Sequence, residues 1–279
     1  MSLSNNLNRS PKPQDHVWYF AYGSNLSSEI FRAHRGIQPL EAIPVRLPGW
    51  SLTFDIYGVP YQEPAFLSIS VAVASTGKNS NGVALPDVHG TAYLVDRKAY
   101  YSIIASEGGG TAYEEIAVRA ERISSGAEKE SHIPQSLVVM TLTRGYAETI
   151  PRCPSQRYKD IVVQGAEEAH LPASYRSFLD TIPTYRPPKS AWRLVGAKIF
   201  LAIWVPVMMV AEWITNMTAN SDGKGNCPRW VHGLVRFLLV AMWLHHDLVH
   251  ARIFGRGDGL DESGDVETAG ENHGRIFLR

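Results

Sequence analysis

The sequence has very little cysteine: Cys153 and Cys227 are the two among 279 residues. Small secreted domains that rely on disulfides carry a much higher density of cysteine, so a disulfide framework is excluded and a reducing, cytoplasmic setting is expected. Cys153 stands next to Pro154 with no histidine close in sequence, which favours a structural thiol over a nucleophile.

An excess of charge of either sign is also lacking. Lys+Arg and Asp+Glu both number 27, so the formal net charge is zero. Because nucleic-acid-binding proteins usually present a basic face, no nucleic-acid partner is predicted. The first sixteen residues lack the apolar run of a secretory signal, and we expect 1–16 to be a flexible leader. Apolar residues make up 44% of the chain, which is enough for a substantial core.

Short aromatic and alternating apolar runs predict about six strands. They lie at 17–22, Val45–Tyr57, Phe66–Ala74, Gly90–Val95, Tyr113–Ile123 and Leu137–Leu142. Helical spacing predicts helices over 97–105, over 155–169 and in a segment from 171 to 182, with a further one capped by Ser27 or Ser28. Because the strands mostly follow one another, the fold class is α+β, with a curved antiparallel or mixed sheet that closes toward a barrel.

The composition changes after a Pro-rich stretch at 183–192. Two uncharged apolar runs follow, Ile199–Ala211 and Phe237–Leu244, and the residues after Phe254 are rich in glycine and acidic side chains. The predicted organisation is a leader at 1–16, a main domain at 17–185, an apolar helical extension at 186–254 and a flexible tail at 255–279.

The first apolar run raises the question of a membrane. As a helix, its thirteen residues cover roughly 20 Å, less than the ~30 Å of a bilayer core. Three alternatives stay open: helices packed on the main domain or on a partner subunit, an interfacial anchor, and a membrane span. The sequence therefore predicts a cytoplasmic protein with peripheral membrane or homo-oligomer contact through residues 194–250.

Three features of the main domain are candidates for chemistry. The loop Gly23-Ser24-Asn25 ends an aromatic strand, and its free N–H groups can form an anion-binding nest, although an ordinary turn has the same local sequence. Glu107 follows an apolar helix and precedes three glycines, a place that suits a general acid/base or a solvated helix end. Tyr113 would offer a hydroxyl at the same site, or pack in the core.

Two motifs near the C-terminus favour structural readings. His246 and His250 have the i, i+4 spacing of a helical metal pair, but no Glu follows the first His as in zinc proteases, and no metal site is predicted. The stretch from Gly255 to Gly259 has no preceding strand, so it is assigned to the flexible tail rather than to a phosphate-binding loop.

Three ordered blocks resemble a known family. Phe20-Ala21-Tyr22-Gly23-Ser24-Asn25-Leu26 resembles the signature loop of the γ-glutamylcyclotransferases. Glu107-Gly108 with Tyr113 resembles that family's catalytic Glu-Gly and downstream tyrosine. The third block, 154–159 with 165–166, 171–172 and Tyr175, resembles its Ser-Pro-Gln-Tyr, Gly-Ala, Leu-Pro, Tyr segment. The resemblance covers about 17–185.

The chain departs from the family pattern in three places. Glu107 is followed by three glycines, and Tyr113 lies one residue nearer to Glu107 than the corresponding tyrosine does in mammalian members. Residues 58–90 and 190–279 have no counterpart in the core pattern. The C-terminal part looks like the extensions of fungal members, some of which act in making sulfur-bridged toxins of the gliotoxin kind.

The resemblance implies a small mixed β-barrel with flanking helices and a catalytic domain at 17–185. It implies release of 5-oxoproline from a γ-glutamyl peptide or a glutathione-derived conjugate, a small-molecule partner, and no metal or cofactor. The implied catalytic residue is Glu107. The implied substrate-binding residues are Tyr22, Gly23, Ser24, Asn25, Leu26, Tyr113 and Tyr158. The alternatives are a non-catalytic binding module of the same fold and a γ-glutamylamine cyclotransferase.

Overall fold

The computed structural model describes residues 16–27, 31–32, 35–72, 85–123, 133–145 and 152–260. Within these ranges seven strands are formed: β1 His16–Ala21, β2 Glu41–Leu47, β3 Trp50–Val59, β4 Glu63–Val71, β5 Val88–Asp96, β6 Tyr113–Arg122 and β7 Ser136–Arg144. Six α-helices follow or intervene: α1 Arg97–Ser106, α2 Gln156–Glu168, α3 Ala173–Asp180, α4 Ala191–Thr218, α5 Arg229–His245 and α6 Ala251–Phe254. A 3₁₀ turn spans Ser24–Leu26, and a π-helical turn, His246–His250, joins α5 to α6.

Five strands form a closed barrel in the order β1-β5-β2-β6-β7. The pairs within this order are antiparallel, and the barrel closes where β1 meets β7 in parallel, with Tyr19 opposite Met140. The mixed sheet and the barrel that the sequence predicted are therefore confirmed. Closure leaves no free sheet edge in the barrel and points the ends of β1, β6 and β7 toward one site.

The predicted strand Val45–Tyr57 is wrong as a single strand. It is two strands, β2 and β3, separated by a turn at Pro48-Gly49, where Gly49 has a φ of +76° that favours glycine. β3 pairs with β4 as a separate two-stranded sheet that shifts register between Thr53 and Ile56. This hairpin brings the backbone of Leu67 to the site.

Local chemistry explains where the helices begin. The Asp96 carboxylate accepts a hydrogen bond from the N–H of Ala99 at 2.7 Å and so caps α1, as predicted. Ser155 caps α2 through the N–H of Tyr158 at 3.0 Å. The apolar faces of α1 and α2 bury Ile103, Ile104 and Val162 against the barrel. The helix predicted after Ser27 or Ser28 falls largely on residues 28–30 and 33–34, outside the described ranges.

The C-terminal extension is built from two long helices. α4 is a continuous helix of 28 residues, about 42 Å long, and not a segment limited to 199–211. By length and composition it is able to cross a membrane, with a mean hydropathy of 2.1 over its most apolar window and 22% of that window buried. The argument that the apolar helix is too short to cross a bilayer is therefore wrong, because it counted only the thirteen residues of 199–211.

The extension packs on the β3–β4 hairpin. Phe200, Val231 and Met242 of the helices share an apolar cluster with Tyr61. The Trp243 indole donates to the carbonyl of Gly58 at 3.1 Å. These contacts place α5 beside the barrel opening.

A partly buried ion-pair network, here named the Arg–Asp clamp, fixes the end of the extension. It consists of Arg152, Asp247, Arg256 and Asp258. Arg152 lies 3.2 Å from Asp247 and 3.5 Å from Asp258, and Arg256 lies 3.0 Å from Asp247. The Arg152 guanidinium also stacks over the ring of Trp243 at 3.7 Å.

The clamp corrects the prediction that the flexible tail begins at residue 255. Asp258 is fully buried, and the N–H of Tyr61 donates to the carbonyl of Gly257 at 2.7 Å. Residues 255–260 are therefore part of the packed extension. Residues 261–279, like the predicted leader before His16, lie outside the described ranges.

Candidate active site

Glu107 stands at the C-terminal end of α1, and the three glycines after it turn the chain sharply. Gly108, Gly109 and Gly110 have φ values of +87°, +55° and +82°. Three consecutive left-handed residues are costly for any residue with a Cβ, so this loop requires glycine. The turn ends the helix and leads directly into β6, which begins at Tyr113.

The Glu107 carboxylate is held by two side chains. The Asn25 amide donates to its Oε1 at 3.0 Å, and the Arg35 guanidinium forms an ion pair with the same oxygen. The side chains of Glu107 and Arg35 are 17% and 14% exposed, so the pair is mostly shielded from water. Oε2 has no protein hydrogen-bond donor among the described residues, which leaves it for a ligand.

Asn25 connects Glu107 to the barrel. Its amide also donates to the Tyr19 hydroxyl at 2.8 Å, and its Oδ1 is buried with no partner among the described residues. Burial, and next the charge of Glu107, raise the pKa of Tyr19, so its hydroxyl stays protonated at neutral pH. An unpaired buried amide oxygen beside a carboxylate is an acceptor suited to an ammonium or amine.

The loop that contains Asn25 presents unused backbone donors. In the described part of the chain, no group accepts a hydrogen bond from the N–H groups of Gly23, Ser24 or Asn25. A Cβ at Gly23 would lie 3.3 Å from the Tyr158 hydroxyl, which leaves little room for a side chain there. The loop therefore combines open N–H groups with close access to its backbone.

The two predicted binding tyrosines meet at the backbone of Leu67. The Tyr113 hydroxyl donates to the Leu67 carbonyl at 3.3 Å, and the Leu67 N–H donates to the Tyr158 oxygen at 3.4 Å. Burial is the main cause that raises the pKa of Tyr158, which keeps its hydroxyl neutral. Leu67 had no sequence signal, because it comes from the separate hairpin.

Two of the predicted binding residues serve the fold with their side chains. The Tyr22 hydroxyl donates to the carbonyl of Leu142 at 2.6 Å, although the residue still lines the site. Leu26 is 2% exposed and packs against Gly165 of α2, and its N–H donates to the Gly23 carbonyl at 2.9 Å. Leu26 is thus a core residue here, which differs from its predicted role.

Two cavities adjoin Glu107. The smaller, about 30 Å³, is lined by the signature loop, Leu67 and Tyr158. The larger, about 360 Å³, lies between β6 and the extension, where Asn226, His232 and Arg236 form part of its wall. Glu107, Tyr113 and Leu142 line both cavities. The carboxylate thus stands at the boundary between a tight site in the barrel and a roomier one under α5.

His246, Asp247 and Asp258 lie close enough together to suggest a metal site. Both ring nitrogens of His246 are already used, by Asp247 at 2.8 Å and by the N–H of Gly257 at 3.2 Å. The two carboxylates are neutralised by the arginines of the clamp. His250 bonds instead to the carbonyl of Gly196 at 2.9 Å. The group is therefore explained as an ion-pair network.

The cysteines do not form an activated site. Burial raises the pKa of Cys153 to about 11, so its thiol is protonated at neutral pH. The Cys227 thiol is buried and donates to the Thr215 carbonyl at 3.4 Å.

Comparison with known proteins identifies the family to which the chain belongs. A family model described as the AclK C-terminal domain matches residues 190–253. The γ-glutamyl cyclotransferase aclK of Aspergillus oryzae is 41% identical over 251 residues, which cover 88% of this chain and 90% of the relative. The γ-glutamyl cyclotransferase gliK of Aspergillus fumigatus is 34% identical over 253 residues, with 88% and 91% covered.

A solved structure of a γ-glutamyl cyclotransferase is also similar, at 20% identity and a TM-score of 0.45, covering 63% of this chain and 91% of that one. That likeness is too distant to carry an argument, and the assignment rests on the sequence relatives. They span nearly the whole chain, extension included, and confirm the resemblance to fungal members. The chain belongs to the γ-glutamyl cyclotransferase family.

Proposed function

We propose that the protein releases 5-oxoproline from a γ-glutamyl peptide or a glutathione-derived conjugate, with Glu107 as the catalytic acid/base. The observation that carries this proposal is the position of Glu107, shielded by Asn25 and Arg35 at the boundary of two cavities. A carboxylate with one free oxygen at such a boundary can reach both ends of a bond that breaks there.

The reaction is an intramolecular aminolysis. The α-amine of the γ-glutamyl group attacks its own γ-carbonyl carbon, a C–N bond closes the five-membered ring, and the original amide C–N bond breaks. The attacking nitrogen loses a proton to Glu107, and Glu107 returns that proton to the departing nitrogen. Atoms and charge balance without water or a redox partner, so one carboxylate suffices for both proton transfers.

The protein's other task is orientation. The N–H groups of Gly23, Ser24 and Asn25 are suited to bind a carboxylate or the carbonyl oxygen on which negative charge develops. The unpaired Oδ1 of Asn25 and the free oxygen of Glu107 are acceptors for the attacking amine. Holding the amine against the carbonyl in this way supplies the proximity that the cyclisation needs.

The two cavities indicate how the substrate lies. The smaller cavity is lined by the signature loop, Leu67 and Tyr158, which are the groups proposed to hold the glutamyl group. Because Glu107 lines both cavities, we infer that the rest of the substrate extends past it into the larger cavity, whose volume of about 360 Å³ is typical of small-molecule sites.

A substrate panel tests the activity. The purified protein is incubated with γ-glutamyl-alanine, glutathione, a bulky glutathione S-conjugate and a γ-glutamylamine, and 5-oxoproline is followed by mass spectrometry. We expect release from the glutathione-type substrates. Release from the γ-glutamylamine alone would favour the amine-specific alternative, and binding without release from any of the four would favour a non-catalytic module.

The biological setting is a finer proposal. The relatives named aclK and gliK come from fungi. The larger cavity has room for a leaving group bigger than the one released from free glutathione. Both observations support a role in making a sulfur-containing fungal toxin. A preference for the bulky S-conjugate over glutathione in the panel is the expected result.

We also propose that the extension contacts a membrane or a second copy of the chain within residues 194–250. Its outer face exposes many large apolar side chains, among them Ile203, Met209, Trp213, Phe237 and Leu244. Exposed apolar surface of this extent marks interaction sites. Flotation with anionic vesicles tests for membrane binding, and light scattering at rising protein concentration tests for a second copy. A protein that stays monomeric and does not float with the vesicles would refute both alternatives.

A further inference from the structure

The extension forms part of the active site, because it docks on the loop that carries Glu107. The Cys227 N–H donates to the carbonyl of Gly109 at 2.9 Å, and His232 lies 3.0 Å from the same oxygen. A Cβ on Gly109 would lie 2.5 Å from the Cys227 sulfur, and one on Gly110 would lie 3.1 Å from both Asn226 and His232. The extra glycines of this chain thus allow the extension to approach the catalytic loop.

This docking places one cation, Arg236 of α5, in the wall of the larger cavity. Its guanidinium donates to the carbonyl oxygens of Gly145 and Thr111, which fix its position but leave its charge unbalanced. No carboxylate within the described ranges lies within ion-pair distance of it. A guanidinium has five N–H donors, so several remain for an anion.

Besides Glu107, two more carboxylates line this cavity and limit what it can bind. Glu115 accepts a hydrogen bond from the Tyr100 hydroxyl at 2.6 Å, and Glu114 is exposed on β6. A wall that carries both signs suits a zwitterionic guest better than a simple anion. The peptide freed by the proposed reaction has that character, because it carries a new amine and a terminal carboxylate.

We propose that the larger cavity binds the leaving peptide and that Arg236 binds its terminal carboxylate. In a glutathione-type substrate this group is the carboxylate of the terminal glycine. The inference rests on the proposed function, since it takes the bond cleaved at Glu107 as the division between the two cavities. It assigns selection of the leaving group to the extension, and selection of the glutamyl group to the barrel.

The test measures binding separately from turnover. In the full chain carrying Glu107→Gln, the affinity for S-methylglutathione and for its C-terminal amide is measured by calorimetry, with and without Arg236→Met. A matched control is Arg229→Met, an exposed arginine two turns earlier on α5 that does not line the cavity. Because a charge-assisted hydrogen bond is lost, we expect amidation to weaken binding about tenfold or more when Arg236 is present.

The pattern of losses decides the proposal. Arg236→Met should lower the affinity for the acid to that for the amide and leave the amide's affinity unchanged, and Arg229→Met should change neither. An equal loss for acid and amide would show that Arg236 acts only through its contacts to Gly145 and Thr111, and would overturn the assignment. No loss for either ligand would overturn it as well.

The proposed function is judged by a different readout. Release of 5-oxoproline by the protein with Glu107 intact tests the reaction, whatever Arg236 does. If the protein releases 5-oxoproline but Arg236→Met weakens binding of the acid and the amide equally, the carboxylate subsite alone is refuted. Selective loss of affinity for the acid without turnover would refute the reaction and keep the subsite.

Discussion

The two sides of Glu107 are built in different ways. On the barrel side, Asn25 is 4% exposed and joined by hydrogen bonds to Tyr19 and Glu107, and the cavity is tight. On the extension side, the cavity is about twelve times larger, at 360 Å³ against 30 Å³, and His232 and Arg236 are half-buried. On the proposals made above, the glutamyl group is held by the tight site in the barrel, and the leaving group by a wall that the C-terminal extension supplies.

The largest effect is expected from a substitution of Glu107, because this side chain lines both cavities. Glu107→Gln keeps the size of the side chain and removes the base, so we expect a loss of kcat of about 10²–10⁴-fold with the fold intact. Glu167→Gln, an exposed substitution on α2, is the matched control. Initial rates of 5-oxoproline formation and circular dichroism of both variants check it, and a variant that keeps most of its activity contradicts the role of Glu107.

The extension side should depend on the Arg–Asp clamp. Asp258→Asn removes the charge of one of the two carboxylates that pair with Arg152, a side chain 5% exposed, within the described ranges. Breaking a buried pair costs about 3 kcal/mol, which urea unfolding would measure. Asp180→Asn, at an exposed helix end, is the control. Equal stability of the two variants would mean that the clamp does not hold the extension in place.

The contact between the catalytic loop and the extension can be tested with a pair of glycines. Gly109→Ala places a Cβ 2.5 Å from the Cys227 sulfur at a φ of +55°, whereas Gly223→Ala adds a Cβ at +70° with no atom within 4 Å. Both substitutions carry the cost of a left-handed residue, about 1 kcal/mol. We expect Gly109→Ala to cost about 1–2 kcal/mol more, with a loss of activity. Thermal unfolding of both proteins measures the difference, and equal losses would exclude close docking.

The barrel side is tested at Gly23. Gly23→Val adds bulk 3.3 Å from the Tyr158 hydroxyl, where the substrate would approach the backbone. We expect KM for γ-glutamyl-alanine to rise about tenfold or more, with kcat also reduced, because the substrate loses its hydrogen bonds to the backbone N–H groups of this loop. Gly233→Val on α5, where a Cβ meets nothing, is the control. An unchanged KM would show that the substrate does not touch this loop.

Local sequence patterns predicted most of the barrel, whereas the site residues were predicted from the family resemblance. The strand before Gly23 and the cap at Asp96 follow from short-range rules, since each depends on a few neighbouring residues. On local grounds alone, Glu107 also fitted a solvated helix end. The single strand predicted over Val45–Tyr57 was wrong because Pro48-Gly49, taken as an interruption near the start of one strand, is the turn between β2 and β3.

The residues that prediction missed come from distant parts of the chain. Arg35 reaches Glu107 from a loop without regular pattern, and Arg236 reaches the same site from the extension. Nothing near either residue in sequence marks it, because its role depends on tertiary packing. The three glycines after Glu107 were visible as a departure from the family pattern, but their partner, Cys227, was not.

The bond between His232 and the carbonyl of Gly109 joins residues 123 positions apart. Contacts at such separation form late, because a long loop must close before they gain any free energy. During synthesis, the barrel strands leave the ribosome well before α5 does, so the catalytic loop gains its contact with His232 only after α5 has been made. We therefore expect the nascent protein to have no working site until α5 has been made, which delays cyclising activity toward the cell's γ-glutamyl pool until α5 has docked on the catalytic loop.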